Sequence, residues 1–264
     1  MDRRKALKAF AGGATAMGVA GALGMSSMKA NASETNPSKR PEIKLNKKGK
    51  VHHDPLPYVP LDPDAVADRA YKNKLIGDCM YGVFASIVEE LAEKVGGPYL
   101  TYPTTVTRYG KGGVMGWGTT CGTVNGAAMA AYLVSDKPGP IVDEVINYFQ
   151  YAELPDYRPA SAIMDITPSV GDSTLCHVSV ARWCEASGHK AFSKERTQRC
   201  AHLAASMTRK LVMALNAQHE NSFKAMYPIP QEVKDCRSCH DKGGELEDTR
   251  GKMNCMTCHE KHEV

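Results

Sequence analysis

Apolar residues recur at helical spacing through most of the chain between residues 63 and 219. The clearest repeat places an apolar residue at every fourth position: Leu203, Met207, Leu211 and Leu215. It predicts a helix over about 193–219, with Ser193 as its N-cap. Amphipathic periods of this kind dominate the middle of the sequence, so we expect an all-α fold.

Capping residues and glycines predict the bounds of the other helices. Asp62 precedes Pro63, a pairing typical of a helix start, and this helix should run to about Val95, with a break near Gly77. Further helices are expected at about 120–134, at 141–152 and from Ser173 or Thr174 to about 186, the last ended by Gly188. Residues 99–118, rich in Thr, Tyr and Gly, predict a short hairpin and a glycine loop.

The periodicity is lost at Tyr227. Residues 227–264 are polar, contain two prolines and a Gly243-Gly244 pair, and lack the apolar side chains for a core of their own. We therefore predict a helical domain over 63–226, followed by a mostly irregular C-terminal segment at 227–264 that folds around something other than its own side chains.

Two different segments are expected to precede the helical domain. Residues 1–32 have an Arg3-Arg4 pair, a weakly hydrophobic run from Ala9 to Met25 and a small-residue cleavage site ending at Ala32. The run is shorter than 18 residues and diluted by glycine, so we predict a cleaved twin-arginine signal, a periplasmic protein and no remaining membrane anchor. Residues 33–62 are basic and then proline-rich, which predicts an extended N-terminal arm.

The charge balance gives no indication of a nucleic-acid partner. The formal net charge is +4, but residues 1–32 carry five basic residues and one acidic residue, and the remainder has 28 of each. A net charge near zero does not attract a polyanion. Nine cysteines and nine histidines are the informative excess.

Two copies of the pattern Cys-x-x-Cys-His lie in the C-terminal segment. The first motif is Cys236, Cys239 and His240, and the second motif is Cys255, Cys258 and His259. The pattern is that of c-type haem attachment, in which two thiols bond to the haem and the adjoining imidazole is the proximal iron ligand. We therefore predict two haem c groups, whose apolar rings would supply the missing core.

The same cysteines also have a zinc-site spacing, with fifteen residues between the two Cys-x-x-Cys pairs. A zinc ribbon does not need a histidine directly after both pairs, and haem attachment takes place outside the cytoplasm. Haem is the preferred interpretation, and a zinc-bound structural module is the alternative.

Each haem iron needs a second axial ligand if it is to be closed to substrates. His52 and His53 are our distal candidates, because neighbours on an extended chain point in opposite directions and could reach different irons. An exposed pair without a role is the alternative, and His262 and His219 are the next candidates. With two histidines on each iron, electron transfer rather than substrate chemistry is expected.

Five cysteines lie outside the haem motifs: Cys79, Cys121, Cys176, Cys184 and Cys200. An odd number, in a protein folded before export, argues against a disulfide framework. Cys121 and Cys176 lie at predicted helix starts, where the helix dipole favours thiolate. Gathered thiolates suit an iron–sulfur cluster or zinc, and ordinary buried cysteines are the alternative. A cluster inserted in the cytoplasm would require the folded export that the leader indicates.

The additional cysteines and their neighbours resemble the sequence pattern of a known family. The segment 120–127, Thr-Cys-Gly-Thr-Val-Asn-Gly-Ala, with Cys79 before it and Cys176 and Cys200 after it, resembles the redox-active Cys…Gly-Cys-Ala-x-x-Gly…Cys…Cys family. It departs from that pattern at Thr120 and Thr123, and one extra residue separates the motif's Cys and Gly. Together with the leader and the two haem motifs, the whole chain resembles the split-Soret cytochrome c family.

The resemblance implies a periplasmic homodimer that transfers electrons in anaerobic respiration and is not an enzyme. It implies two haem c per chain, each iron with two histidine ligands, and one iron–sulfur cluster of [2Fe-2S] type. One of the haem ligands is implied to come from the partner subunit. The implied cluster ligands are Cys79, Cys121, Cys176 and Cys200, with Cys184 as a substitute. Redox partner proteins are expected, without an identity. The alternative function is a small-molecule reductase with an open haem or cluster site.

Overall fold

The structure is a computed structural model that describes residues 54–260 and 262. The described residues are mostly helical, as expected for an all-α protein. The helices are α1 (Pro63–Lys94), α2 (Gly122–Val134), α3 (Pro138–Tyr151), α4 (Cys176–Ser187), α5 (Lys194–His219) and α6 (Gln231–His240). The predicted signal at 1–32 and residues 33–53 of the predicted arm lie outside the described residues, and residues 54–62 of the arm are neither helix nor strand.

Helix α1 begins after Asp62, as predicted, and it is broken next to Gly77, where the sequence predicted a break. The Asp62 carboxylate accepts from the backbone N–H groups of Asp64 and Ala65, with Pro63 in the first turn. The break falls at Asp78, whose φ of 70° and ψ of −171° lie in a region that costs a non-glycine residue about 1–3 kcal/mol. The second half of α1 therefore starts at Cys79.

The core lies where α1 packs against α5. The buried apolar residues of α2 and α3 belong to the same cluster. The four-residue repeat of α5 is buried throughout, which confirms the helix and its inward face. Ser193 caps α5 by accepting from the Arg196 N–H at 3.1 Å. Gly188 ends α4 in the left-handed conformation, with φ of 73°.

The predicted hairpin within residues 99–118 was wrong. Residues 99–118 form no hairpin but two 3₁₀ segments, Gly97–Tyr99 and Thr104–Tyr109, followed by the glycine loop. A two-stranded antiparallel ladder instead joins β1 (Glu153–Leu154) to β2 (Ser169–Val170). Composition rich in Thr, Tyr and Gly suits both arrangements, so only tertiary packing decides between them.

The C-terminal segment is less irregular than its composition predicted. Residues 231–240 form α6, although Val233 is its only buried residue. A 3₁₀ turn, Cys255–Thr257, follows after a loop. Within the described part of the chain, no helix is both long and apolar enough to span a membrane.

Candidate metal centres

Four of the five additional cysteines meet in one place. Cys79 starts the second half of α1, Cys121 is the residue before α2, Cys176 is the first residue of α4, and Cys200 lies within α5. Three of the four thus stand at helix N-termini. The positive ends of three helix dipoles therefore face one group of thiols, an arrangement that stabilises negative charge.

Backbone hydrogen bonds fix two of these helix starts against each other. Thr120 and Leu175 form an antiparallel bridge. The Cys121 N–H donates to the Thr174 carbonyl at 2.8 Å, and the Cys176 N–H donates to the Thr119 carbonyl at 2.8 Å. The two thiols are therefore neighbours because their backbones are paired.

Glycine lets α2 reach the kink in α1. A Cβ on Gly122 would overlap the Gly110 carbonyl oxygen and lie 2.9 Å from the Met80 nitrogen. A Cβ on Gly126 would lie 2.7 Å from the Met80 carbonyl oxygen. Larger side chains would push Cys121 away from Cys79, which explains these two glycines physically.

The four thiols form two hydrogen-bonded pairs. Hydrogen bonding to Cys200, together with burial, raises the pKa of the Cys79 thiol well above its ordinary value. Hydrogen bonding to Cys176, together with burial, likewise raises the pKa of Cys121. The pKa values of Cys200 and Cys176 are lowered, first by the bonds they receive from Cys79 and Cys121. In each pair, one thiol therefore loses its proton more readily than the other.

Positive side chains surround the Cys79–Cys200 pair. Arg199, Lys74 and Arg196 all lower the pKa of Cys200, and Arg196 Nη1 lies 3.9 Å from its sulfur. The Arg199 guanidinium is buried and donates to the Ser179 hydroxyl at 2.8 Å. Its Nε is buried with no hydrogen-bond partner among the described residues. The site therefore offers both positive charge and an unused donor to an anionic group.

Cys184 stands apart from this cluster of thiols. It lies eight residues beyond Cys176 on α4, about 12 Å along the helix axis. Its exposure is intermediate, like that of Cys176, so its position along the helix and not its burial sets it apart. Within the described residues, no three His, Cys, Asp or Glu side chains converge to hold a single metal ion.

The first haem motif lies at the end of α6. Cys236, Cys239 and His240 are spaced three and four residues apart, so they share one face of the helix. The His240 Nδ1 lies 2.9 Å from the Asp248 Oδ1, and because a carboxylate only accepts, Nδ1–H donates. The Nε2 of His240 is thereby left for a metal, as in histidine ligands held by carboxylates.

The second haem motif is bound to the helical domain. Asn254 caps its 3₁₀ turn by accepting from the Met256 N–H at 3.0 Å. The Thr257 hydroxyl donates to the Asp172 carbonyl, and the Asn254 N–H donates to the Gln150 side-chain oxygen at 3.0 Å. Cys255 and His259 are consequently held at a fixed place beside the end of α3.

The two motifs touch each other. The Cys255 thiol donates to the Met253 carbonyl at 3.6 Å, and burial and then the neighbouring Cys236 raise the pKa of Cys255. Tyr151 lies in the same region, where burial and then Asp172 and Cys255 raise the pKa of its hydroxyl. That hydroxyl is buried with no hydrogen-bond partner in the part of the chain that the structure describes. An acceptor beside Cys255 would satisfy it.

The structure describes two of the four histidines that the sequence offers as second axial ligands. His52 and His53 lie outside the described residues, so their distal role stays a prediction. The His262 ring lies 5.9 Å from the His240 ring, centre to centre, at an interplanar angle of 81°. The His219 ring packs edge-on against Tyr58 at 5.9 Å.

Sequence reasoning missed the side chains that support the ligands. Arg196 could have been found, because it precedes Cys200 by four residues on one helix. Asp248, Lys74 and Arg199 carry no motif, and only the tertiary fold places them at the two sites.

Comparison with known proteins agrees with these sites. A family model described as "Putative redox-active protein (C_GCAxxG_C_C)" matches residues 81–214, a range that begins just after Cys79 and holds the other four additional cysteines. The chain is 35% identical over 211 residues to split-Soret cytochrome c from Desulfovibrio desulfuricans, an alignment that spans 75% of each chain. This chain belongs to the split-Soret cytochrome c family.

The fold supports the same relationship. A solved structure of split-Soret cytochrome c from Desulfovibrio desulfuricans, described for a novel iron centre, matches with a TM-score of 0.72 and 33% identity. The match covers 80% of this chain and 91% of that chain. The resemblance predicted from the motifs is confirmed, and this member of the split-Soret family is a redox, electron-transfer cytochrome.

Proposed function

We propose that this split-Soret family member is a periplasmic cytochrome with two covalently bound haem c groups and one iron–sulfur cluster. It would transfer electrons in anaerobic respiration. The observation that carries the proposal is the presence, in one compact unit, of two adjoining haem-attachment motifs and a separate group of four facing thiols.

Three features of the C-terminal segment fit haem. The segment lacks a core of its own, and its motif thiols point to a shared region where Cys236 meets Cys255. His240 is held by Asp248 with Nε2 left for iron. The Tyr151 hydroxyl is a buried donor without a partner, which a haem propionate could satisfy.

The four thiols fit a two-iron cluster better than a single metal ion. They form two pairs, Cys79 with Cys200 and Cys121 with Cys176, and a [2Fe-2S] cluster bound by four cysteines takes two thiolates at each iron. The unpartnered Arg199 Nε and three helix N-termini would stabilise its negative charge. We propose these four as ligands, and leave Cys184 outside the set on its position along α4.

When bound, the haems and the cluster would supply one-electron redox chemistry, while the protein orients and insulates them. Asp248 holds the His240 imidazole in the tautomer that binds iron through Nε2. Burial of Cys79, Cys121 and Cys200 keeps water from the cluster.

The second axial ligands are proposed from two places. His262 is the candidate for the iron that His240 would hold, because its ring centre lies 5.9 Å from that of His240. His52 and His53 remain our candidates for the other iron, from the same chain or from the partner in a homodimer.

Carbon monoxide and cyanide test electron transfer against the small-molecule reductase. Closed, six-coordinate irons predict that neither ligand changes the spectrum of the purified protein. Rapid binding to one haem would favour the reductase. His262→Ala should open a site for carbon monoxide at one haem, and the matched variant His219→Ala should not. Binding that is unchanged in His262→Ala would remove His262 from the ligand set.

A further inference from the structure

We infer that the haem of the second motif exchanges electrons directly with the iron–sulfur cluster, and that the haem of the first motif reaches the cluster only through it. The three centres would then act in a line, and this order rests on the proposed function because it takes both haems and the cluster as bound. The order follows from which motif the protein attaches to the cluster site.

A single threonine joins the second motif to the cluster site. The Thr174 hydroxyl donates to the Met253 sulfur at 3.2 Å, and the Thr174 carbonyl accepts from the Cys121 N–H at 2.8 Å. Met253 lies two residues before Cys255, and Thr174 lies two residues before Cys176. A continuous path of covalent bonds and hydrogen bonds therefore connects Cys255 to both Cys121 and Cys176.

Hydrogen bonds through Gln150 and Asp172 also hold the second motif against the segment that leads into Cys176. Gln150, which is fully buried, accepts from the Asn254 N–H through its side chain and from the Asp172 N–H through its carbonyl, at 3.0 and 2.9 Å. Asp172 in turn accepts from the Thr257 hydroxyl. The segment that leads into Cys176 and the turn that carries Cys255 are thus held as one piece.

The first motif has no comparable attachment. In the described structure, the hydrogen bonds of residues 231–249 stay within the C-terminal segment, including those from Leu246 to Cys239 and from Thr249 to His240. Its thiol contact is with the second motif, through Cys236 and Cys255. The first haem therefore adjoins the second haem rather than the cluster.

Electron tunnelling slows steeply with distance and is aided by continuous bonds, so the attached haem is the one that exchanges with the cluster. In the forward step one electron leaves the reduced iron of the second haem and is taken up by the oxidised cluster. The second haem is then reduced again by the first. No covalent bond forms or breaks, and electrons that flow in the reverse direction pass through the same three centres in the opposite order.

Magnetic relaxation of the cluster tests the order without any activity assay. A low dose of irradiation on the frozen, fully oxidised protein would reduce only a minority of its centres, so most reduced clusters would still lie beside ferric haems, and a nearby ferric haem speeds the relaxation of the cluster's EPR signal. We expect that Cys255→Ala with Cys258→Ala, which removes the second haem, restores slow relaxation. Cys236→Ala with Cys239→Ala should leave relaxation fast. The opposite pattern, or equal effects, would overturn the order.

A rate measurement keeps the test valid if a haem-deficient variant does not fold. Met253→Ala removes the side chain that Thr174 contacts, and Met256→Ala is the matched control in the same turn. After flash reduction of the haems by a photoexcited deazaflavin, freeze-quench EPR should show severalfold slower cluster reduction in Met253→Ala alone. Equal rates would contradict the route. A purified protein with two haems but no acid-labile sulfide would overturn the cluster proposal itself. Equal rates in a protein that contains the cluster would overturn only the route, so the two failures are distinguishable.

Discussion

His240 and Asp248 are joined by a hydrogen bond of 2.9 Å between the imidazole Nδ1–H and the carboxylate. The bond also lowers the pKa of Asp248, so the carboxylate stays charged at neutral pH. A charged acceptor on Nδ1 makes the imidazole a more basic ligand, which favours ferric over ferrous iron. With both proposed haems bound, this hydrogen bond would set the reduction potential of one haem separately from that of the other.

Replacing Asp248 by Asn should raise the reduction potential of one haem and leave the other unchanged. The amide still fills the space but withdraws the negative charge from Nδ1. Asp235→Asn is the matched control, because Asp235 lies on α6 and bonds to Gln231 rather than to His240. A spectroelectrochemical titration measures both potentials, and two unshifted potentials in Asp248→Asn would count against the His240 assignment.

Cys200→Ser should remove most of the acid-labile sulfide while both haems are retained. The serine oxygen is a poorer ligand for iron than the thiolate sulfur that it replaces. Cys184→Ser is the control, since Cys184 lies away from the four facing thiols. Sulfide analysis decides the point: a normal content in Cys200→Ser, or a loss in Cys184→Ser, means the ligand set is wrong.

Arg199→Gln should lower the reduction potential of the cluster by tens of millivolts. Reduction adds a negative charge, and the buried guanidinium beside Cys176 and Cys200 stabilises it. Arg199→Lys keeps the positive charge and should shift the potential less. EPR-monitored redox titration of the three proteins gives the comparison. Identical potentials would show that Arg199 only packs α4 against α5.

Gly122→Ala should destabilise the fold by about 1–3 kcal/mol and deplete the cluster, because the new methyl group overlaps the Gly110 carbonyl. Gly139→Ala, where nothing lies within 4 Å, should change stability by no more than about 0.5 kcal/mol. Denaturant unfolding followed by circular dichroism measures both. Equal stability in the two variants would contradict the close approach of α2 to α1.

Local signals were sufficient for the helices whose ends carry capping residues. Asp62 and Ser193 predicted the starts of α1 and α5, and the repeat in α5 predicted its buried face. Helix α6 was missed because it buries only Val233, so its sequence has no apolar period to reveal it. A helix of this kind depends on what it binds and on the chain that packs against it.

The chemistry of the site was predictable to the level of residue type but not of pairing. Cys-x-x-Cys-His is a local pattern, so both motifs could be named from sequence. The pairing of Cys79 with Cys200 joins residues far apart in the chain, and it depends on the kink at Asp78. The link from Thr174 to Met253 likewise exists only after the C-terminal segment has packed on the helices.

Denaturing intact-mass analysis of the purified mature protein, with iron and acid-labile sulfide counted on the same sample, tests the central claim most directly. We predict a polypeptide mass increased by two covalently bound haems, iron in excess of the haem iron, and sulfide equal to that excess. A mass without covalent haem, or metal that is zinc and is removed by a mild chelator, would contradict the proposal.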